Sequence, residues 1–251
     1  MNGSDGAASG WTVRLLGGFS VEGPQGVVHV PLPGQRVAVY LIVHGHPVHR
    51  EHVAATVWPD AQRFHARVNL RSTLSRLGSV APIVTSSRSS LRIAEGVHID
   101  VEALQATALD VREGRLNGPI PWFDMELLPG WTEEWVEVER ERVRQLELHL
   151  LDHVVATSLD AGRPGDAIDV ALRAIRLDPL REPSHAALLR ALLADGDRLG
   201  AISHYRRLAA RLRHSYGLAP SAEIATLMDE FLNGRARSVL AGSSVTNGRI
   251  H

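Results

Sequence analysis

The chain has 251 residues, enough for two domains of ordinary size, and its formal net charge at pH 7 is -1. It contains no cysteine, which excludes disulfide bonds, thiolate zinc sites and cysteine nucleophiles. No apolar run is long enough to span a membrane and the N-terminal residues resemble no signal or transit peptide, so we expect a cytoplasmic protein without a membrane partner.

The charge is distributed unevenly along the sequence. Between Trp11 and Ile99 there are nine Arg residues and four acidic residues, a local excess of five positive charges. The remainder of the chain carries the compensating negative charge, so only the first part is expected to meet an anionic partner. Every cation in this stretch is Arg, which forms bidentate contacts with phosphate and guanine better than Lys does.

The first predicted elements are strands followed by a helix. Residues 1–10 are rich in Gly, Ser and Ala and are predicted to be disordered. The runs Trp11–Phe19 and Val27–Leu32 alternate or are β-branched and lie between Gly and Pro residues, which predicts strands of a small antiparallel sheet. Apolar spacing then predicts a helix over Gln35–His44, ended by Gly45.

Two further helices follow within the first hundred residues. The second is predicted from about His49 to Trp58, where Pro59 ends it. The third is predicted from about Ala61 to Leu77, with Asp60 as its N-cap and Gly78 as its stop.

The third predicted helix has two different faces. At about 100° per residue, its apolar residues fall in one narrow arc and are expected to face the core: Ala66, Leu70, Leu74 and Leu77. The opposite side places short hydrogen-bonding groups among guanidinium groups, which is typical of a surface that binds DNA bases. The predicted DNA-binding residues of this helix are Arg67, Val68, Asn69, Arg71, Ser72, Ser75 and Arg76. The alternative is an ordinary solvated helix face.

Each of these side chains suits a particular contact with DNA. Val68 is suited to a thymine methyl group, and Arg71 or Arg76 to a guanine edge. Asn69 is suited to an adenine or a phosphate, and Arg67, which lies nearer the core boundary, to a backbone phosphate.

A hairpin is predicted after the third helix. The β-prone runs Ile83–Thr85 and Leu91–Ile93 flank a polar loop, Ser86–Ser90, with Arg88 at its tip. Three helices followed by a hairpin form a winged helix-turn-helix, in which the third helix enters the major groove and the wing contacts phosphate or the minor groove. Arg88 and Arg92 therefore complete the predicted DNA-binding set.

The second half of the chain shows an imperfect internal repeat. Two residue pairs have counterparts thirty-four positions later: Ala161-Gly162 corresponds to Asp195-Gly196, and Ala167-Ile168 to Ala201-Ile202. This spacing is the period of the tetratricopeptide repeat. Pro179 ends the second helix of the first unit. This predicts stacked helical hairpins, which usually bind proteins or hold neighbouring domains. An ordinary helical bundle is the alternative.

Ordered motifs throughout the chain resemble the Streptomyces antibiotic regulatory protein family. They are Ala66-Arg67-Val68-Asn69-Leu70-Arg71, Leu74-Ser75-Arg76-Leu77, Leu127-Leu128-Pro129-Gly130-Trp131 with Glu134-Trp135, Ala161-Gly162-Arg163, and Leu177-Asp178-Pro179-Leu180-Arg181-Glu182, followed by Tyr205, Leu212, Gly217, Leu218, Pro220 and Ser221. The chain departs from the family at Ser89-Ser90-Leu91, where wings usually carry Gly-Tyr, and at His49, where Ser or Thr usually caps the second helix.

The resemblance implies a mainly α fold in two domains. An OmpR-type winged helix is expected over residues 11–99 and a tetratricopeptide-like bacterial transcriptional activator domain over residues 100–232, followed by a disordered tail over residues 233–251. The chain lacks a nucleotide-binding motif and so resembles the short form of the family, with no cofactor and no enzymatic activity expected.

The resemblance also implies partners. Members of the family activate promoters of specialised-metabolite genes by binding direct repeats in double-stranded DNA, with two copies side by side, and by recruiting RNA polymerase. The connection between the second and third helices is the expected contact with the sigma factor or the α-subunit, through Trp58, Asp60 and Gln62. The alternatives are a protein-interaction adaptor and a metabolite-responsive regulator.

Three other groups of residues have ordinary structural explanations. His44, His46, His49 and His52 lie close in sequence, but a plain helix connection is favoured over a metal site. Trp131 and Trp135 are expected to pack in a core or between domains rather than form a ligand box. A salt-bridged solvent face is predicted for Glu137, Glu139, Arg140, Glu141, Arg142 and Arg144.

Overall fold

The structure, a computed structural model, describes residues 10–115 and 126–242, with side chains as far as Leu232. The chain divides into two compact units, Met1–Glu147 and Leu148–His251. The domain boundaries inferred from the sequence stay predictions. The disorder predicted for residues 1–9 concerns residues outside those that the structure describes.

The first unit contains a four-stranded sheet. Its strands are β1 (Trp11–Arg14), β2 (Ser20–Gly23), β3 (Gly26–Val28) and β7 (Val97–Ile99). Their order in the sheet is β3-β2-β1-β7, with β1 and β7 parallel and the other pairs antiparallel. Val13 and Val21 are paired across β1 and β2, and both are fully buried. A Cβ atom on Gly23 would lie 2.7 Å from the Trp11 ring, so the absence of a side chain there lets the indole cover the strand.

The predicted strand Val27–Leu32 is wrong at its end. The chain leaves the sheet after Val28, and Leu32 is the first residue of helix α1 (Leu32–His44). A Pro in the first turn is compatible with this helix, because the N–H group that Pro lacks has no partner there in any helix. The Pro residues expected to bound the strand therefore mark the start of a helix.

Three helices and a second sheet complete the winged helix. Helices α2 (Arg50–Val57) and α3 (Arg63–Val80) follow α1, and a three-stranded sheet has the order β4-β6-β5, with β4 (Val48–His49), β5 (Val84–Ser86) and β6 (Ser90–Ile93). The hairpin β5–β6 is the predicted wing, and its strands pair antiparallel with Thr85 opposite Arg92.

Both predicted ends of α3 are wrong. Asp60 lies ahead of the helix, whose N-cap is Gln62, and no side chain caps its first turn. Gly78 does not stop the helix, which continues to Val80. Gly lowers helix stability without requiring a break, so its presence alone does not define an end.

The core of the winged helix joins all three helices to the wing. Val37 and Leu41 of α1, Val53 of α2 and Leu70 of α3 pack with Leu91 of β6 in one buried cluster. Trp135 packs against this cluster, and its ring meets Tyr40 edge-on with 5.2 Å between the centroids. The expectation that this tryptophan packs in a core is confirmed.

Helix α4 (Asp100–Arg112) begins with a carboxylate that holds the end of β1. Asp100 accepts hydrogen bonds from the backbone N–H groups of Leu15 and Leu16 at 2.9 to 3.0 Å. Residues 126–128 lie against the same segment, where the N–H group of Leu128 donates to the Leu15 carbonyl at 2.9 Å. The start of α4 and residues 126–128 therefore fix the segment after β1.

The solvent face predicted on the long helix α5 (Glu134–Asp160) is wrong for two residues. Arg140 is only 16% exposed and donates hydrogen bonds to the carbonyl oxygens of Leu127, Leu128 and Trp131. Glu139 is buried as well and binds Arg142. Glu141 and Arg144 form the expected exposed ion pair.

The second unit is helical. It contains the end of α5 and α6 (Pro164–Leu177), α7 (Glu182–Asp195), α8 (Arg198–Tyr216) and α9 (Ala222–Gly242). Gly162 and Gly196 follow α5 and α7 with φ of 69° and 84°, a left-handed conformation that glycine adopts without strain. The ends of these two helices are confirmed where the repeat predicted them.

Two apolar clusters hold these helices together. The first joins Leu148 and Leu151 of α5 to Ala167 and Ala171 of α6 and to Leu188 of α7. The fully buried alanines allow the helices to approach closely, as the repeat requires.

The second cluster joins α7, α8 and α9, with Leu189, Ala201 and Ile224 fully buried. Because α9 continues to Gly242, the predicted disordered tail is wrong over residues 233–242, and residues 243–251 lie outside the described part of the chain. The fold class, a winged helix followed by a helical region, is confirmed.

Candidate nucleic-acid interface

Helix α3 exposes the face on which the sequence places DNA-binding residues. All seven predicted residues are exposed: Arg67, Val68, Asn69, Arg71, Ser72, Ser75 and Arg76. On the reverse, Ala66, Leu70 and Leu77 are buried to within 3% of full burial. Leu74 is partly buried against the same core. One side of α3 is therefore packed in the core, and the opposite side is exposed to solvent.

The wing has a compact tip that carries Arg88. The hydroxyl of Ser87 accepts hydrogen bonds from the N–H groups of Ser89 and Ser90, at 3.3 and 3.0 Å. Arg50, the first residue of α2, donates to the Ser86 hydroxyl at 2.5 Å and to the Ser87 carbonyl at 3.1 Å. These bonds hold the base of the wing against α2 and leave Arg88 exposed.

A groove separates the wing from α3. Its volume is about 350 Å³, and its lining is His49, Arg50, Glu51, Arg67, Leu70, Arg71, Arg88 and Ser89. Four guanidinium groups thus converge on one groove from α2, α3 and the wing. Sequence reasoning counted Arg50 among the cations but did not assign it to the site, because its approach to the wing depends on the tertiary fold.

The arginines of the winged helix fall into two groups by their ion pairs. Several are paired with a carboxylate: Arg14 with Glu22, Arg36 with Glu133, Arg67 with Glu51 and Arg92 with Glu95. Within the described residues, no ion pair is formed by Arg63, Arg71, Arg76 or Arg88, all of them exposed. The uncompensated charge is therefore concentrated on α3 and the wing tip.

Two predicted contacts are less available than the others. The Arg92 guanidinium lies 2.8 Å from Glu95, and that of Arg67 lies 3.7 Å from Glu51. Both pairs are exposed, and exposed pairs contribute little to stability, so either guanidinium can exchange its carboxylate for a phosphate at low cost.

The connection between α2 and α3 combines packed and exposed residues. Trp58 is partly buried against the core of the winged helix, whereas Asp60 and Gln62 are exposed. By packing against the core, Trp58 stabilises the connection between α2 and α3. The structure therefore leaves mainly the two polar side chains free to contact a partner.

Sequence reasoning missed an exposed aromatic residue at the start of α3. Phe64 is 73% exposed, and it precedes Val68 by one helical turn. The signal was present, since Phe64 falls on the predicted DNA-binding side at about 100° per residue. Its exposure is not evident from composition, because phenylalanine is more often buried than exposed.

A second cluster of titratable groups lies between α7 and α8. Nδ1 of His185 and Nε2 of His204 are 2.9 Å apart, and Nε2 of His185 is 3.1 Å from the Pro179 carbonyl. Because a carbonyl only accepts, His185 donates through Nε2, and neutral His185 then accepts from His204 through Nδ1. His185 must be neutral for this arrangement, because a protonated imidazole has no acceptor nitrogen.

Burial is the main cause of low pKa values in this pair. It lowers the pKa of His185, against the opposing effect of the Pro179 carbonyl, and it lowers the pKa of His204 to about 4. Nearby cations, among them Arg207 and Arg211, lower the pKa of His204 further. Glu182 and Asp178 act in the opposite direction on His185.

The described residues contain no group of three or more His, Cys, Asp or Glu side chains suited to hold a metal ion. Among the clustered histidines, His44 bonds through Nδ1 with the Tyr40 carbonyl at 2.8 Å. In the same part of the chain, none of the helices combines the length and apolar character needed to cross a lipid bilayer.

Comparisons with known proteins agree with this architecture. The family model described as bacterial transcriptional activator domain matches residues 90–232. The fold is similar to that of a solved structure entitled Mycobacterium tuberculosis EmbR in complex with low affinity phosphopeptide, with a TM-score of 0.69 and 18% identity over 94% of this chain and 70% of that chain. At this identity the likeness concerns the fold.

A search of curated proteins found no match. The family match covers more than half of the chain, and it coincides with the fold and the motifs described above. The family consists of transcriptional regulators rather than enzymes. The chain therefore belongs to the bacterial transcriptional activator domain family and is a transcriptional activator of the Streptomyces antibiotic regulatory protein type.

Proposed function

We propose that the protein binds double-stranded promoter DNA through α3 and the wing and recruits RNA polymerase to the promoter. The observation that supports this most strongly is the concentration of exposed guanidinium groups without an ion pair on the solvent side of α3 and on the wing tip, from Arg71, Arg76 and Arg88. Double-stranded DNA can neutralise several such groups at once, because its phosphates are regularly spaced and lie beside the edges of its bases.

In this proposal α3 enters the major groove and the wing follows the backbone. Arg71 and Arg76 bind guanine, Asn69 binds adenine or a phosphate, and Ser72 and Ser75 complete the polar contacts with the bases. Arg67, Arg88 and Arg92 bind phosphates. Arg50 lines the groove between the wing and α3, so it joins them as an additional phosphate contact.

The proposal extends to the arrangement of copies and to the polymerase. Two copies bind direct repeats side by side, with the repeats about 10 to 11 base pairs apart so that both copies lie on one face of the duplex. The exposed side chains of Asp60 and Gln62, beside Trp58, contact the sigma factor or the α-subunit. The regulated promoters belong to a specialised-metabolite gene cluster, and the protein acts in the cytoplasm without a cofactor.

The test measures DNA binding with one arginine changed at a time. Sites are selected by the full chain from a random duplex library, and affinities are measured by fluorescence anisotropy for Arg71→Ala and Arg14→Ala. We expect Arg71→Ala to cost about 1 to 3 kcal/mol and to relax specificity at one base pair. Arg14→Ala should bind like the unchanged protein, because Arg14 is paired with Glu22 on a strand outside the predicted site.

Two results would contradict the proposal in different ways. An equal loss on every sequence would reduce Arg71 to a phosphate contact. Failure of the unchanged chain to select or retain any duplex at low salt would remove DNA binding altogether, and a protein-interaction adaptor would then be the better hypothesis.

A further inference from the structure

Helix α3 presents two apolar side chains to solvent among its cations. Phe64 is 73% exposed and Val68 is 47% exposed. Among the aromatic contacts of the described residues, Phe64 takes part in one, an edge-to-face contact with the neighbouring His65 ring at 5.7 Å between the centroids. Both side chains therefore have apolar area available for a partner.

The two side chains form one ridge. At about 100° per residue, Phe64, Val68 and Ser75 lie within about 40° of one another, and Arg71 is adjacent on the same stripe. The buried residues Ala66 and Leu70 project from the other side of the helix. The ridge is thus the part of α3 that lies furthest from the core and would enter a groove first.

The charges around the ridge identify its partner as an anionic one. Arg63 precedes it and Arg71 lies beside it, and neither forms an ion pair within the described part of the chain. A ligand that covers the ridge must offer apolar groups within a field of negative charge. The major groove of DNA meets both conditions, because the 5-methyl group of thymine is the apolar group that bases present there.

We propose that Phe64 and Val68 are specificity-determining residues that contact thymine methyl groups in the major groove. This inference rests on the proposed function, since it requires α3 to lie in that groove. The two residues are about 6 Å apart along the helix axis, and base pairs are about 3.4 Å apart. The ridge therefore selects thymines at neighbouring or next-but-one base pairs, and Phe64 contributes a contact at the N-terminal end of α3, where recognition helices approach the bases.

The experiment removes single methyl groups from the DNA. A site selected by the full chain from a random duplex library is synthesised with deoxyuridine in place of each thymine in turn, which deletes the 5-methyl group and leaves base pairing intact. Affinities are measured for the unchanged protein, Phe64→Ala, Phe64→Leu and the control Leu199→Ala. Leu199 is 79% exposed and lies on α8, so its loss removes a similar apolar side chain elsewhere.

We expect deoxyuridine at one or two positions to weaken binding by about fourfold each, the effect of one buried methyl group. At the position facing Phe64, the same replacement should have no effect on Phe64→Ala. Phe64→Leu should retain part of the sensitivity to deoxyuridine at this position, and Leu199→Ala should be as sensitive as the unchanged protein. Phe64 is exposed, so these variants should melt at the temperature of the unchanged protein.

Three outcomes would overturn the inference. The first is no effect of deoxyuridine at any thymine, and the second is an equal loss of affinity for Phe64→Ala and the unchanged protein. The third is a Phe64→Ala variant that binds DNA normally but loses activation by RNA polymerase in a transcription assay, which would assign the ridge to a protein contact. If no site is selected at all, the proposed function itself has failed, and that result is distinct from the other three.

Discussion

Arg140 shows how one buried guanidinium group can replace regular secondary structure. Residues 127–131 include Leu128 with φ of 47°, so this segment is not part of a helix or an extended strand. The Arg140 side chain donates to the carbonyl oxygens of Leu127, Leu128 and Trp131 at 2.8 to 3.0 Å. Its charge is balanced by Glu126 and Glu137. An arginine that reads as a surface residue in the sequence therefore organises the turn before α5.

Replacing Arg140 should destabilise the protein. In Arg140→Met the aliphatic part is kept but three carbonyl oxygens lose the guanidinium donor, and only that of Leu128 keeps a second donor among the described residues, the Trp131 N–H group, so we expect the free energy of unfolding to fall by about 2 to 4 kcal/mol. Urea denaturation followed by circular dichroism measures this. The matched variant Arg112→Met, at an exposed position of α4, should change stability by less than about 0.5 kcal/mol. Equal stability of the two variants would contradict the role assigned to Arg140.

Individual residues of the candidate site could be predicted where helical periodicity alone decides exposure. The alternation of Ala66 and Leu70 with Val68 and Arg71 fixes both faces of α3, and the structure agrees. The Arg50 contact with the wing could not be predicted, because Ser86 and Ser87 reach it only through folding of the hairpin. The same holds for Arg140, whose partners are irregular backbone carbonyls.

At the scale of the elements, the contact between α7 and α8 depends on two neutral imidazole rings. Nδ1 of His185 accepts from Nε2 of His204 only while His185 carries no second proton. Protonation of His185 at Nδ1 places two N–H groups face to face, whereas protonation of His204 keeps the hydrogen bond but charges a partly buried ring. The packing of these two helices is therefore expected to weaken in acid.

The sign of the pH effect follows from the direction of the pKa shifts. Both pKa values lie below the ordinary histidine value of 6.5 in the folded chain, and that of His204 is about 4, so the unfolded chain binds protons that the folded chain cannot. The contribution of the pair is fully present above about pH 6.5 and is lost as the pH falls towards about 4. We expect a loss on the order of 1 to 2 kcal/mol, since His204 is partly exposed.

Urea denaturation between pH 7 and pH 4.5 measures this loss. His204→Gln should lose less stability than the unchanged protein over this interval, because an amide can donate to His185 but does not titrate. His214→Gln, an exposed position on the same helix, is the control and should follow the unchanged protein. Parallel curves for all three proteins would show that the histidine pair does not control this behaviour.

Elements were predictable in kind but not always in extent. Apolar spacing located α1, α2 and α3, and the repeat located the ends of α5 and α7. The end of α3 could not be predicted from Gly78, because glycine lowers helix stability without ending a helix, and α3 continues to Val80 with its C-cap at Ala81. Leu32 was assigned to a strand because its apolar neighbours also suit β structure, and local composition cannot separate a strand end from a helix start.

For the whole molecule, the net charge of -1 is misleading about its behaviour towards polyanions. Among the described residues, arginines without an ion pair are concentrated on α3 and the wing tip, whereas Arg14 and Arg36 elsewhere in the winged helix are neutralised by carboxylates. The charge close to the binding surface, rather than the net charge, should decide the interaction with DNA. At physiological salt, electrostatic interactions between exposed charges are screened beyond about 8 Å.

DNA affinity should therefore depend steeply on salt. Each neutralised phosphate contributes about -0.9 to the slope of log K against log salt, so about five to eight contacts predict a slope of about -4.5 to -7. Anisotropy titrations at several salt concentrations give this slope. Arg88→Ala should reduce its magnitude by about one contact, whereas Arg14→Ala should leave it unchanged. A slope close to zero would argue against a phosphate-binding surface.

The carboxylate of Asp100 has a consequence for the order of synthesis. It binds the N–H group of Leu15, which is 85 residues earlier in the chain, and the parallel partner of β1 is β7, immediately before it. A chain emerging from the ribosome has no partner for that edge of its first strand until these residues have been translated. The helices and wing between them can associate sooner through contacts closer in sequence. The first strand made is thus among the last to be fixed in place, and the nascent chain completes its winged helix only when Asp100 has left the exit tunnel.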